Sequence, residues 1–231
     1  MDKTISIIIP AFNEEGNLQA TVETVVRIIS GRFSDYEILI FNDFSTDKTG
    51  IIADELASKN PKIKVIHNET NMGFGYNYTK GVELASMQYA MMVPGDNEIT
   101  ESSIEVIMDA AGQADIIIPY TVNMEVRPLS RRVLSRAFTK LMNLITGLNL
   151  RYYNGPCLHR SEIIKKVPMT TWGYAYMAAI LARLIRSGRT YKEVGMHIKE
   201  RAYGGSSALK LKNVFRVSKT LWELFLEFRV K

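Results

Sequence analysis

Apolar residues fall in short unbroken runs along the first half of the chain, and each run is followed by a stretch with helical spacing. Ile5-Ser6-Ile7-Ile8-Ile9 is continuous rather than alternating, which predicts a parallel strand buried on both faces. Asn13 to Ser30 follows as a predicted helix with Glu14 and Glu15 in its first turn, where the helix dipole favours acids. The alternation continues with strands at Tyr36–Phe41, Ile63–His67, Tyr89–Val93 and Asp115–Pro119. The intervening helices run from Asp47 to Ser58, Gly73 to Ala85 and Glu101 to Ala111. Asp47 reads as a helix cap. Strands alternating with helices predict an α/β fold: a mostly parallel central sheet with helices on both faces.

The pattern changes after Pro128. Leu129–Leu148 is a long helix carrying Arg131, Arg132, Arg136 and Lys140, and Gly155-Pro156 breaks the chain after it. Trp172–Ser187 reads as a helix, Thr190–Ile198 as a strand and Leu209–Lys231 as a final amphipathic helix. On that last helix Val214, Val217, Leu221, Leu224, Phe225 and Phe228 share one face. Lys212, Arg216, Lys219 and Arg229 lie largely elsewhere. Such a helix can lie in a membrane surface, and it can equally pack on its own domain or on a partner.

Charge sharpens the division. The chain has 231 residues and a net charge of +5, but residues 1–120 carry −10 and residues 121–231 carry +15. The basic half should attract anions such as phosphates or an anionic membrane surface. Nucleic acid is not expected, because no binding motif for it occurs. An apolar content of 46% with 23% charged residues excludes a disordered or fibrous chain. Cys157 is the only cysteine, which rules out an intrachain disulfide and a cysteine-based zinc site. It reads as a buried filler, and the three histidines show no metal spacing. The first residues do not read as a secretory signal, and no apolar run reaches membrane-spanning length.

Candidate chemistry sits where predicted strands end, the edge at which open α/β sheets bind ligands. Pro10-Ala11-Phe12-Asn13-Glu14-Glu15 could hold a planar base, with Glu14 accepting hydrogen bonds, or be a capped strand-to-helix turn. Asp43 could accept from a base N–H or a ribose hydroxyl. Asn71-Met72-Gly73-Phe74-Gly75 lacks dinucleotide and P-loop spacing, so its glycines read as turn and packing residues. Asp96 and Glu98, two residues apart, point the same way in extended backbone and suit Mg²⁺ or Mn²⁺ on a phosphate ligand; a solvated acidic turn is the plain alternative.

Together these segments resemble the family 2 glycosyltransferases of GT-A fold. The likeness is strongest to the dolichyl-phosphate mannose synthase and polyprenyl-phosphate glycosyltransferase branch. Pro10 to Glu15 matches its opening loop, and Asn42 to Thr49 its Asp-Asp-x-Ser-x-Asp-x-Thr loop. Asn71, Gly73, Gly75 and Gly81 match its glycine loop, and Asp96 its metal motif. Arg132-Val133-Leu134-Ser135-Arg136, Gly155 to Arg160 and Arg201 to Ser206 resemble later segments. Seven matches in order cover nearly the whole chain. The departures are Pro94 and Glu98 in the metal motif, Asn42 for an Asp, Ser207 for a Lys, and Tyr152 or Tyr153 for an Asp.

The resemblance implies one domain over 1–231. Residues 1–120 would bind a nucleotide sugar, 121–208 the acceptor and phosphates, and 209–231 would form a basic amphipathic helix. Pro10, Ala11, Phe12, Glu14, Asp43 and Gly73 would bind the nucleotide. Asp96 and Glu98 would hold Mg²⁺ or Mn²⁺, with Asp96, Arg132 and Arg201 catalytic. Arg132, Arg136, Arg201 and Ser206 would meet phosphates. From Pro128 to Lys192 the only acid is Glu162, so the base that a hydroxyl acceptor requires is missing. An ionised phosphate needs no base. The expected activity is therefore an inverting, metal-dependent transfer from a UDP- or GDP-sugar to a polyprenyl phosphate, on the cytoplasmic face of a membrane, with or without an anchor subunit. Transfer to a saccharide hydroxyl and a non-catalytic nucleotide-binding subunit are the alternatives.

Overall fold

The computed structural model describes residues 2–200 and 211–230. Seven strands form one sheet in the order β3-β2-β1-β4-β6-β5-β7. They are β1 (Thr4–Ala11), β2 (Asp35–Asn42), β3 (Ile63–His67), β4 (Tyr89–Met92), β5 (Ile116–Thr121), β6 (Leu158–Arg160) and β7 (Tyr191–Met196). All pairings are parallel except those of β6, which runs antiparallel between β4 and β5. β6 is the element the sequence pattern does not signal: three residues are too few to carry a period, and the flanking Gly-Pro reads as loop.

The helices are α1 (Leu18–Ser30), α2 (Thr49–Lys59), α3 (Phe74–Leu84), α4 (Glu101–Asp109), α5 (Leu129–Thr146), α6 (Ser161–Ile164), α7 (Tyr176–Arg186) and α8 (Leu211–Phe225), the last continued by a π-helical turn to Val230. α1 buries Leu18, Val22, Val25 and Ile29, the repeat of an amphipathic helix. β1 is apolar on both sides because both are covered. Ile5, Ile7 and Ile9 enter one core with α1 and α4, and Ile8 enters the other with α3 and α7. Gly81 of α3 lies where a Cβ would stand 2.5 Å from Ile8, so helix and strand approach more closely than any larger residue permits.

Two helix starts differ from the pattern. α1 begins at Leu18, not Asn13, because the amides of Asn17 and Leu18 both turn back to the Glu14 carbonyl. Glu14 and Glu15 therefore lie in the loop before it. α7 begins at Tyr176, leaving Trp172–Ala175 as a turn. The apolar face expected on α8 packs inward only in part: Leu224 is buried, and Leu221 and Phe228 pack against the same core, but Phe225 of that face is exposed and the side chain of Val214 lies outside the described residues. No helix among the described residues is long and apolar enough to cross a membrane.

Candidate active site

β2 and β3 extend to one side of β1 and β4 lies on the other, so the chain reverses direction across the sheet between β1 and β4. Their carboxyl ends flank the crevice where such sheets bind ligands. The loops converge there through backbone bonds. The Asp43 amide donates to the Ala11 carbonyl (2.8 Å), and the Gly95 amide to the Pro10 carbonyl (3.1 Å). Among the described residues only Asn13, Phe44 and Asn97 are non-glycines with positive φ, at 55°, 65° and 54°. One stands in each of the three loops. Left-handed backbone at three adjacent loops marks a site where local conformational cost is tolerated for geometry.

The first two loops are stitched together by side chains. Asn13 accepts from the Thr46 amide and donates its own to Ser45 Oγ. Asp47 accepts from the amides of Glu15 and Thr49, and Glu15 accepts from the Lys48 amide. Burial alone would raise the Asp47 carboxyl, but the bonds from Thr49 and Glu15 hold it below the usual carboxylate range. Asp47 thus starts α2 from one residue before its cap and fastens the neighbouring loop as well. Glu14 is buried, its amide on Thr49 Oγ1 (2.7 Å) and its carboxylate accepting from Asn17 (2.7 Å). Asn42 turns its amide to His67 Nδ1 (3.0 Å) and accepts from the Ser45 amide.

Asp43 is buried and holds the loop after β3. Its Oδ1 accepts from the Asn68 side chain and the Met72 amide, and its Oδ2 from the Gly73 amide, all at 2.8 Å. A carboxylate offers about four acceptor positions, so one direction is left for a ligand N–H or hydroxyl. Gly73 takes φ +84° to present its amide. Asp43→Asn would turn an amide N–H toward one of these donors. The expected result is a loss of about 1–3 kcal/mol in denaturant unfolding, with weaker nucleotide binding. Unchanged stability would show that the three bonds do not hold the loop.

Phe12 and Phe44, in the loops after β1 and β2, and Phe74, the first residue of α3, expose large aromatic area. Beside them the backbone of Trp172 presses on Gly75, where a Cβ would come within 2.5 Å of it. The segment before α7 is thereby fixed over α3.

The Asp96 region corrects one expectation. Asp96 and Glu98 do not lie in extended backbone: Asn97 is left-handed, and the Glu98 amide donates to Asp96 Oδ1 at 3.1 Å. Asp96 is buried and Glu98 half-buried. Among the described residues no group of three or more acids, histidines or cysteines forms a metal cage. The arrangement nonetheless fits Mg²⁺ or Mn²⁺ with a diphosphate, since such ions take one or two carboxylates and draw their other oxygens from phosphates and water. The segment after β7 is tied to this turn. Lys199 donates its amide to the Glu98 carbonyl (2.8 Å) and its ammonium to Asn97 Oδ1 (2.9 Å). The chain thus leaves for Arg201 from beside Asp96; Arg201 and Ser206 themselves lie outside the described residues. Arg132 is half-buried in the first turn of α5, its Nε enclosed without a partner, and Arg136 is exposed one turn on.

Sequence reading did not single out Asn68 or Lys199, and it placed Thr49 in a motif without the hydrogen bond to the Glu14 amide that gives it its part here. Asn68 was the most legible, as a polar residue directly after a strand. Lys199 meets Asn97 across about a hundred residues and leaves no local signal. His159 and Cys157 are fully buried, His159 accepting from or donating to the Tyr78 hydroxyl (3.0 Å), so neither belongs to the site. Burial pushes the Cys157 thiol up, away from reactivity.

Residues 6–167 match Glycosyl transferase family 2. The chain is 29% identical over 213 residues to polyprenol monophosphomannose synthase of Mycolicibacterium smegmatis, covering 87% of this chain and 79% of the relative. It is 27% identical over 214 residues to undecaprenyl-phosphate mannosyltransferase of Micrococcus luteus, covering 86% and 85%. Its fold matches glucosyl-3-phosphoglycerate synthase of Mycobacterium tuberculosis in complex with Mn²⁺, UDP and phosphoglyceric acid, with a TM-score of 0.66 at 17% identity over 97% of this chain and 78% of that one. The same synthase with Mg²⁺ and UDP matches at a TM-score of 0.64 and 18% identity, over 97% and 79%. With its loops gathered at the crevice beside β1, the chain belongs to glycosyl transferase family 2, has the GT-A fold, and resembles the polyprenyl-phosphate mannosyltransferases over most of its length.

Proposed function

We propose that this transferase moves a sugar from a UDP- or GDP-sugar to a polyprenyl phosphate with inversion at the sugar C1. One observation carries the acceptor assignment. The single acid between Pro128 and Lys192, Glu162, lies in α6 beside Ser86–Gln88 and Arg160, at the amino-terminal end of β4 and thus at the opposite edge of the sheet from the crevice. That stretch therefore brings no carboxylate to the acceptor side, and an acceptor that is already an anion needs none.

In this reading Pro10, Ala11 and Phe12 line the nucleoside pocket, Glu14 braces it from within its loop, and Asp43 accepts from the base or ribose while holding Gly73. Phe44 and Phe74 add stacking surface. Asp96, with Glu98 beside it, would hold Mg²⁺ or Mn²⁺, which when bound neutralises charge on the leaving diphosphate. Arg132, Arg136, Arg201 and Ser206 meet phosphates. Arg132 orients the acceptor so that its ionised oxygen attacks C1 as the bond to the nucleotide diphosphate breaks. The test is nucleotide release from UDP- and GDP-sugars with Mn²⁺ or Mg²⁺, with and without polyprenyl phosphate. Release that requires the lipid phosphate is expected; equal release with soluble saccharides would favour a hydroxyl acceptor, and tight nucleotide binding without any release a non-catalytic subunit.

The outer face of α5 supports work at a membrane. A surface helix ordinarily turns its apolar side inward, yet Leu129, Val133, Leu134, Leu141 and Leu144 all point out, with Leu129 and Leu144 each 68% exposed. Arg229 donates to the carbonyls of Leu144 and Ile145, joining the end of α8 to this face. There Trp222 stacks on Phe225 beside Leu226, and all three are exposed. Arg136, Lys140 and Lys219 are exposed on the same two helices. An apolar face with a basic rim suits an anionic lipid surface, which would set Arg132 near headgroup level on the cytoplasmic side. Flotation with vesicles containing anionic phospholipid is expected, and Leu129→Ser with Trp222→Ser should reduce it. Failure to float with either anionic or neutral vesicles would make a membrane anchor subunit the occupant of this face.

A further inference from the structure

Arg127 stands between the 3₁₀ turn Met124–Val126 and Pro128, which caps α5. Its backbone is extended, as a residue before proline must be, and its amide closes the turn on the Met124 carbonyl (3.0 Å). The other end of the turn is fixed to the reaction edge. Asn123 exchanges two hydrogen bonds with Ile198 (2.7 and 3.0 Å), and the next residue, Lys199, bonds the Asp96 turn. Arg127 is therefore anchored within a few residues of the metal-motif loop on one side and of Arg132 on the other.

Its side chain is held in one orientation. Nη1 donates to the Tyr152 hydroxyl at 3.2 Å, while Nε is buried without a partner. A guanidinium grips phosphate in two-pronged fashion through its Nε–Nη2 edge, the edge away from Nη1. Tyr152 therefore binds the nitrogen that this grip does not use. Arg132, five residues on, likewise has a buried Nε without a partner. A buried cationic N–H left unpaired is costly, and two in one short segment ask for an anion with several acceptor oxygens. No acid in the following sixty residues reaches this edge of the sheet.

We infer that Arg127, aimed by Tyr152, is a second arginine on the acceptor's phosphate, and that it works with Arg132 to select a phosphate monoester over a neutral hydroxyl. The inference rests on the polyprenyl-phosphate reading and adds to it a specificity-determining residue and a positioning residue, Tyr152. A monoester dianion offers three oxygens, enough for two arginines.

Initial rates measured against polyprenyl phosphate and, separately, against the donor sugar nucleotide test it. Arg127→Gln should raise KM for the lipid phosphate about ten- to a hundred-fold, the range expected for hydrogen bonds to a charged group. Donor KM should move little by comparison. Arg127→Lys should recover part of the loss, because a point charge lacks the two-pronged edge. Tyr152→Phe should raise the same KM by a smaller factor with kcat unchanged. Polyprenyl phosphate alone should raise the Tm of the wild-type chain more than that of Arg127→Gln. If Arg127→Gln lowers the unliganded Tm, the KM split in Arg127→Lys decides. A change confined to donor KM would assign Arg127 to the donor diphosphate and overturn the inference, as would unchanged kinetics in both glutamine and lysine variants. A wild-type enzyme whose turnover ignores lipid phosphate would instead remove the acceptor reading, and this inference with it.

Discussion

Replacing Asp96 with alanine is expected to lower kcat/KM by at least about 10³-fold, or ~4 kcal/mol of transition-state stabilisation, while the fold survives. The reason is position. Asp96 is buried at the crevice between β1 and β4, on a turn locked by left-handed Asn97 and by Lys199. Its Oδ1 caps that turn through the Glu98 amide. Asp96→Asn separates the two jobs, because an amide oxygen can keep the cap while the anionic oxygen ligand is lost. Both variants should lose Mn²⁺-dependent nucleotide affinity, and Asp96→Asn should keep its Tm more nearly. Glu98→Gln should cost less, since Glu98 is the more exposed of the two. Full turnover in Asp96→Asn with a normal metal requirement would remove Asp96 from the site.

Acid should destabilise the enzyme from about pH 6.5 downward, earlier than its carboxylates alone would cause. His159 lies in β6 at the centre of the sheet, and burial pushes its imidazole down to about 3 from an ordinary value of 6.5. The unfolded chain takes up a proton below 6.5 that the folded chain refuses until about 3. Stability is therefore complete above 6.5 and falls as pH drops through that interval, by up to about 1.4 kcal/mol per pH unit. Asp35, Glu37, Asp47 and Asp115 all have lowered carboxyls and add losses of the same sign, which set in as pH falls toward their ordinary values of 3.8 to 4.5. His159→Gln can still accept from Tyr78 and does not titrate. Unfolding titrations of this variant should be nearly flat between pH 6.5 and about 5.5, above the carboxylate range, where the wild type slopes. Parallel profiles would mean that His159 is solvated in the folded state.

How much of this was legible in the chain depends on the range of the interaction. The strand runs Ile5–Ile9, Tyr36–Phe41 and Ile63–His67 appear within two residues of their observed limits; in β1 and β2 burial on both faces leaves a mostly apolar run, whereas the edge strand β3 shows through Ile63, Val65 and Ile66 around an exposed Lys64. The Pro10–Glu15 and Asn42–Thr49 motifs were legible as loops at strand ends, yet Asn13, Glu15 and Asp47 stitch those loops to each other. A motif spacing records which residues are needed, not which of them face a ligand. β6 was illegible because its strand identity comes from the partners on either side, β4 and β5, rather than from its own three residues.

Order and chemistry of the elements were thus determined by the sequence: local periodicity sets each strand and helix, and the ordered motifs with the −10 and +15 halves set the family and the pull toward phosphates. Tertiary structure alone decided the rest. It left-hands Asn97 and brings Lys199 to the Asp96 turn, faces the leucines of α5 outward while α8 packs Leu221, Leu224 and Phe228 inward, and places Glu162 at the far edge of the sheet. These outcomes depend on contacts between segments far apart in the chain, and a one-dimensional pattern carries the period of an element but not the neighbour it meets.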